Sequence, residues 1–361
     1  HPGGLTASVG VASYGGEGNM SLATLVRGAT GALAEARRAG ARRLTLPSAR
    51  AALAALLALA AAACTSSASL PEVRVHASVS PVAAQGLVAL AANRRIARVV
   101  LVDDPASADL AWFGDPVRAL RHPELLVPGS APDASGVAAR WKDPARRFFP
   151  VGARARVLLV DPKAALPVPP RRLRDLADPR LAGRQAIGRP DEGEGPATFA
   201  ALAALSSEEA SLALLRAILA QRPRVATGDA EVQSLVASGQ AAFGLAGSEQ
   251  AAAGAVSVAG LEVVYPDQGG FGTLVFPTAA AVLSRGVENP SVHRLADWMS
   301  GSDAEQLLAA RVPGLMPLRD GVPLPLGVRS VRDLRSPTLD WEHLARLDRT
   351  FTPQMRQISL P

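Results

Sequence analysis

The chain of 361 residues holds one cysteine, Cys64. A lone cysteine excludes an intrachain disulfide and a zinc site built from cysteines. Lysine is nearly missing too, standing only at Lys142 and Lys163. The basic residues are otherwise arginines, which together with abundant alanine points to a GC-rich coding sequence rather than to a special use of arginine. Aromatic residues make up 4%, and tyrosine occurs twice, at Tyr14 and Tyr265. No apolar run reaches the about 20 residues that a membrane-spanning helix needs. There is no G-x-S-x-G elbow, no H-E-x-x-H pair and no P-loop. The five histidines (1, 76, 122, 293 and 343) fall without metal-ligand spacing. His76 reads as a core or edge side chain of a strand rather than as a ligand.

What is present describes a folded protein. Hydrophobic residues make up 48% and charged residues 19%, outside the range of disordered chains, and the length allows two or three compact units. The net charge of +6 suggests nucleic acid only until it is divided. Six arginines and two glutamates precede Ala51, leaving 32 basic and 30 acidic residues after it. The larger part is therefore near neutral, without the basic stripe of a nucleic-acid binder.

The basic excess precedes an apolar run. Arg37, Arg38, Arg42, Arg43 and Arg50 lead into Ala51–Ala63, with small residues at 61, 62 and 63 just before Cys64. A basic segment, an apolar stretch of roughly 7–15 residues and small residues at the cleavage point define an export signal, and the cysteine marks a lipoprotein signal. Ala61 stands where leucine is usual. The alternative is a buried alanine-rich helix with an incidental cysteine. Residues 47–64 are read as the signal with lipidated Cys64, and 65–72 as a Ser/Thr-rich tether. The expected location is extracytoplasmic, as a membrane-anchored lipoprotein.

Ahead of the signal, residues 5–12 alternate as a strand does, Gly15, Gly16 and Gly18 form a loop, and Leu22, Leu25, Val26, Ala29, Leu33 and Ala36 share a helical face. Residues 1–46 resemble the C-terminal end of a diguanylate cyclase (GGDEF-type) domain, carried by TASVGVA from Thr6 and ALAEARRAG from Ala32. Thr30 and Ala34 depart from that family. The resemblance assigns no cyclase activity, because the nucleotide-binding loop would lie upstream. The piece is either part of a fusion or upstream coding sequence read through into a lipoprotein gene, in which case the functional protein starts at Cys64.

After the tether, strands are expected from Val73, at Arg98–Asp103 and at Ala108–Asp115, with a helix over Pro81–Asn93. Alternating strands and helices imply a parallel sheet, where ligands sit beyond the carboxyl ends of strands. Ser78, Ser80 and Asp115 fall at those ends.

Five segments then occur in order: KDPARRFFPVGARARVLLVD (142–161), RLRDLADPRLAGRQAIG (172–188), VQSLVASGQAAFGL (232–245), VYPDQ (264–268) and PSVHRLADWMSGSDAEQ (290–306), the last as one late helix. In this order they resemble the extracellular solute-binding proteins of ABC importers, especially the ferric-ion-binding branch, from about Val73 to about Phe351. The resemblance implies an α/β, two-lobed periplasmic-binding-protein fold (type II) with hinge strands between the lobes. Lobe 1 would comprise about 73–153 and 272–325, lobe 2 about 154–271 and 326–351, and 352–361 would be a tail. The crossing strands would be Ala153–Val160 and a segment near Gly272–Val282. The implied function is capture of a small solute, a metal ion or small organic ion, in the interlobe cleft and delivery to permease and ATPase partners. No resident cofactor is implied, a metal ion entering only as cargo, and no nucleic acid.

The branch's paired tyrosines correspond to Ser248, Glu249 and Gln250, which argues against a tyrosinate iron site. Glu249 and Asp115 are weak candidates for a hard cation through oxygen ligands, or for an ammonium group by charge-assisted hydrogen bonds; solvated loop carboxylates are the plain alternative. Arg154 aligns with a family arginine that meets an anion, or forms a structural salt bridge. Asp191–Thr198 precedes a helix through Phe199, whose free N–H groups suit an anion. Glu192 and Glu194 oppose one, so they turn away or neutralise a cationic part of the ligand. Gly195 and Thr198 belong to this helix start, with Thr198 expected as its cap. Two other readings remain: a ligand sensor coupled to a cyclase partner, and an enzyme whose case rests only on cleft carboxylates.

Overall fold

The computed structural model describes residues 69–359, apart from 259 and 326. The export signal, Cys64 and the cyclase-like segment lie outside the described residues.

The first half of the fold is built as the alternation predicts. β1 (Glu72–Ser78) buries Val73 and Val75 and pairs in parallel with β2 (Arg98–Val102) and β3 (Leu110–Phe113). Between β1 and β2 runs α1 (Pro81–Asn93), with Ser80 accepting the Ala83 N–H and proline in its first turn. Proline fits there because its missing N–H would have no partner. After β3, Asp115 caps the short helix α2 (Pro116–Ala119) by accepting the Arg118 N–H at 2.8 Å.

β4 (Phe149–Val160) is buried along its whole length. Its first part pairs with an antiparallel strand through Ala155, and from Arg156 it pairs with a different one. β4 is thus the crossing strand, starting four residues before the expected Ala153. The second half contains β5 (Gln185–Gly188), α3 (Gly195–Leu205), α4 (Glu208–Ala220), β6 (Arg224–Ala226), α5 (Asp229–Ala237), β7 (Phe243–Gly247), α6 (Ser248–Ser257) and β8 (Glu262–Val264). β9 (Val275–Val282) then returns to the first half and lies between β3 and β4. The order is β2-β1-β3-β9-β4-β7-β5-β6, with β8 also on β4. Two sheet regions therefore meet at one strand, and the lobes follow from that.

Inside the first lobe, Trp112 Nε1 donates to Thr278 Oγ1 at 2.9 Å, and Thr278 donates to the Val151 carbonyl at 2.7 Å. This chain satisfies polar atoms across β3, β9 and β4 that would otherwise be buried without partners.

Two expectations are corrected toward the C-terminus. The single late helix is two, α7 (Pro290–Met299) and α8 (Ser302–Arg311), because the chain turns at Ser300–Gly301. The segment after Phe351 is not a tail: α9 runs Trp341–Ser359. Trp341, Leu344, Ala345, Phe351 and Met355 are buried at helical spacing, which carries the helix onward. Asp348 on α9 accepts from Arg121 Nε and Nη2, both at 2.7 Å, and Arg356 reaches Asp191 at 3.3 Å.

Candidate functional site

Arg154 and Arg156 are two residues apart on a strand, so their side chains leave the same face. They sit on either side of the point where β4 changes partner, Arg154 opposite Phe276 and Arg156 opposite Gly247. Both line a cavity of about 230 Å³ bordered by Ser78 at the end of β1 with Val79 and Ser80 after it, by Arg118 of α2, and by residues 188–189, 192–195, 198–199 and 228–230 of the second lobe.

Each guanidinium is set by carboxylates. Arg118 lies 3.4 Å from the Asp115 carboxylate through Nε, donates to the Ser78 carbonyl at 3.2 Å, and donates to Glu194 Oε1 at 3.2 Å. Arg154, 7% exposed, meets the same Glu194 oxygen at 3.1 Å, donates to the Gly114 carbonyl, and has Nε 3.9 Å from Glu249. Arg156 bonds both oxygens of Asp229, which also accepts the Gly247 N–H at 2.7 Å. At the outer edge Arg189 pairs with Asp191 and Glu192, each at 3.2 Å.

This network sorts the acids. Burial opposes charge on Glu194, but Arg154 and Arg118 outweigh it and bring the carboxyl down to about 2. Burial raises Glu249, with Arg154 opposing, and raises fully buried Asp115, with Arg118 opposing. Burial also opposes charge on Arg154, where Glu194, Glu249 and Asp115 prevail and hold it protonated. Several polar atoms here lack hydrogen-bond partners: Ser78 Oγ, Arg154 Nε, Arg156 Nε and Asp115 Oδ2. Buried polar groups are normally paired, so this cluster is suited to receive further donors and acceptors.

Ser78, Ser80, Arg154, Glu194, Gly195, Thr198 and Gln250 all line the cavity. Asp115 stands behind Arg118, and Glu249 behind Arg154. Ser248 turns away: its hydroxyl donates to the Gly314 carbonyl at 2.7 Å and accepts the Ala155 N–H at 3.2 Å, pinning α6 to the crossing strand. Thr198 is not the helix cap. The turn at Gly193–Gly195 starts α3 earlier, with Glu194 at the cap position, and Thr198 Oγ1 donates back to the Glu194 carbonyl at 2.7 Å. No group of three or more His, Cys, Asp or Glu residues suited to a metal ion occurs among the described residues. His76 packs on Phe113 with ring centroids 5.7 Å apart.

Sequence reasoning missed Arg118, Arg156 and Asp229. The period of two from Arg154 to Arg156 was the available signal for one of them, and the Asp115-to-Arg118 spacing at a helix start for another. Nothing local marked Asp229, which reaches Arg156 from a helix far along the chain.

Tyr265 lies in a different, wider hollow of about 1030 Å³, with Arg171, Arg172, Arg174, Asp267, Phe271 and Arg329. Its hydroxyl accepts the Arg329 N–H at 3.3 Å, and burial raises its pKa, so the phenolate is disfavoured.

A two-lobed α/β fold with a charged cleft at its crossing strand defines a type II periplasmic binding protein. The chain belongs to the bacterial extracellular solute-binding protein family, whose model matches residues 125–342, more than half of the sequence. Solved structures with the same fold include iron-bound HitA from Pseudomonas aeruginosa (TM-score 0.70, 18% identity, 80% of this chain and 100% of that one). Apo ferric ion-binding protein A from Pasteurella haemolytica is similar (0.69, 16%, 80% and 97%). So is AfuA from Actinobacillus pleuropneumoniae with exogenous fructose-6-phosphate bound (0.69, 15%, 81% and 99%). No curated protein matches the sequence. Among the described residues no helix is long and apolar enough to cross a membrane.

Proposed function

We propose that this protein is the substrate-binding component of an ABC importer, anchored outside the cytoplasmic membrane by a lipid on Cys64. It captures a small organic anion between its lobes and hands it to a permease driven by an ATPase. The lobes divide where β4 passes from β9 to β7, and closure is a hinge motion about that strand. The observation that carries the choice of solute is the cavity wall formed by Arg118, Arg154 and Arg156. Their fixed forks suit an oxyanion, and unpartnered Ser78 Oγ and Gln250 supply polar contacts for the rest of the molecule.

A bare ferric ion suits this wall less well. The lining carboxylates Glu194 and Asp229 are already held by guanidinium groups, and a trivalent cation would face those same positive charges at contact range. The sugar phosphate named for AfuA has the required charge and polarity, which supports the anion reading without specifying the compound.

Thermal-shift measurements on the full chain with inorganic phosphate, fructose 6-phosphate, citrate, ferric ion and spermidine test this. An anion present at 100 times its Kd stabilises by about 2.7 kcal/mol. Stabilisation by ferric ion or spermidine, with none from the three anions, would refute the proposal.

A further inference from the structure

Glu194 lines the cavity between two of its guanidiniums. Its Oε1 sits between two guanidiniums, accepting from Arg118 Nη2 at 3.2 Å and lying 3.1 Å from Arg154 Nη2. Arg118 belongs to the first lobe and Arg154 to the crossing strand, whereas Glu194 comes from the second lobe. The other described carboxylates that line the cavity are engaged differently: Glu192 pairs with Arg189 of its own loop, and Asp229 with Arg156. Glu194 alone among them bonds across the cleft.

The local backbone is built for this reach. Glu194 holds the cap position of α3, and its side chain makes no bond back to the first-turn N–H groups. Glycines flank it on both sides. Gly193 has φ +57°, and at Gly195 a Cβ would stand 2.4 Å from the Pro190 carbonyl oxygen. The turn they permit sends the Glu194 side chain forward into the cavity, with 17% of it exposed.

We infer that Glu194 is a resident stand-in for the solute's acid group. It neutralises Arg118 and Arg154 and joins the lobes when the cleft is empty, and an incoming phosphate or carboxylate has to displace it. Two anions on the same pair of guanidiniums repel each other, so binding of the solute and the Glu194 contacts exclude one another. Affinity is then the solute's own affinity lowered by the fraction of molecules in which Glu194 has withdrawn. Poorly charged solutes fail to displace it, which makes Glu194 a selectivity residue. The inference rests on the anion-binding reading of the cleft proposed above.

Calorimetric titration of the full chain with inorganic phosphate, fructose 6-phosphate and citrate provides the test, using wild type, Glu194→Gln, Glu288→Gln and Arg154→Ala. The best-binding anion should bind Glu194→Gln about tenfold tighter than wild type, while Glu288→Gln, at an exposed position outside the cavity, is unchanged. The melting temperature of Glu194→Gln should fall without ligand and match wild type at saturation, which a merely structural role would not produce. Equal or weaker binding by Glu194→Gln overturns the inference while leaving the anion site intact, provided Arg154→Ala abolishes binding. No binding by either wild type or Glu194→Gln overturns the inference together with the proposed function. If Glu194→Gln does not fold, Glu194→Asp, whose shorter arm draws the carboxylate back from Arg118, replaces it with the same expectation of tighter binding.

Discussion

Two hollows in this molecule are lined by arginine, and they differ in what holds the arginine. In the cleft, Arg154 is 7% exposed and meets Glu194, with Glu249 nearby, and Arg156 is locked to Asp229. In the outer hollow beside Tyr265, Arg171, Arg172, Arg174 and Arg329 are exposed, and the pairs that form there are local, such as Arg172 with Asp175 three residues on. The number of guanidiniums is similar, but their energetics are not. Exposed pairs gain little in water. A buried guanidinium is oriented by its carboxylates and strongly destabilising to leave unpaired. A binding site needs the second condition, because preorganised groups lose less freedom when the ligand arrives.

The largest break in the comparison should come from Arg154→Ala. Removing one member of a buried charge network costs about 3–5 kcal/mol, and here Glu194 and Glu249 would lose a buried counter-charge. Chemical denaturation should show the loss, and anion binding should vanish in the variants that still fold. Asp229→Asn should do less. It weakens a charge-assisted bond to Arg156, worth about 1.5–3 kcal/mol, and frees the Arg156 side chain; the same denaturation series measures it.

Acid separates the carboxylates of the cleft by sign. Glu194 is depressed from its ordinary 4.5 to about 2, so the stability it contributes is present above 4.5 and is lost as pH falls toward 2. Asp115 and Glu249 are raised. Their protonation favours the folded state, so their contribution runs the opposite way and weakens as pH rises. Glu194→Gln should therefore lose less stability than wild type between pH 4.5 and 2, as read by denaturant midpoints. The smallest effect belongs to the outer hollow: Arg171→Ala with Arg174→Ala should change stability by no more than about 0.5 kcal/mol and leave anion titrations unaltered. A clear loss of anion binding in that pair would erase the distinction between the hollows.

Much of the fold was legible in the sequence. The alternation at Val73 and Val75, the Pro81 helix start and the uninterrupted apolar stretch of β4 are local patterns, and local sterics and periodicity produce them. The late helix was misread as one because the turn at Ser300–Gly301 interrupts a pattern whose two parts are each helical. The end of α9 was missed because its buried stripe continues past Phe351, where the family resemblance stopped. In the candidate site, Arg154 was found through resemblance and Glu194 through its turn. Thr198 was misassigned because two glycines let the helix start earlier than its hydroxyl suggested. Glu194 was expected to turn away from an anion or meet a cation; the structure instead places it on two arginines.

By itself the sequence determined most of the elements and the glycine-flanked turn, since backbone preference and the burial of apolar faces act over a few residues at a time; the two-lobed class came through the family resemblance. Which charges meet was decided only by the tertiary structure. Arg118, Arg154 and Glu194 come from three separate segments, and Coulomb interaction depends on distance and burial rather than on order along the chain. Folding alone brings them within hydrogen-bonding range and removes the water that would otherwise screen them.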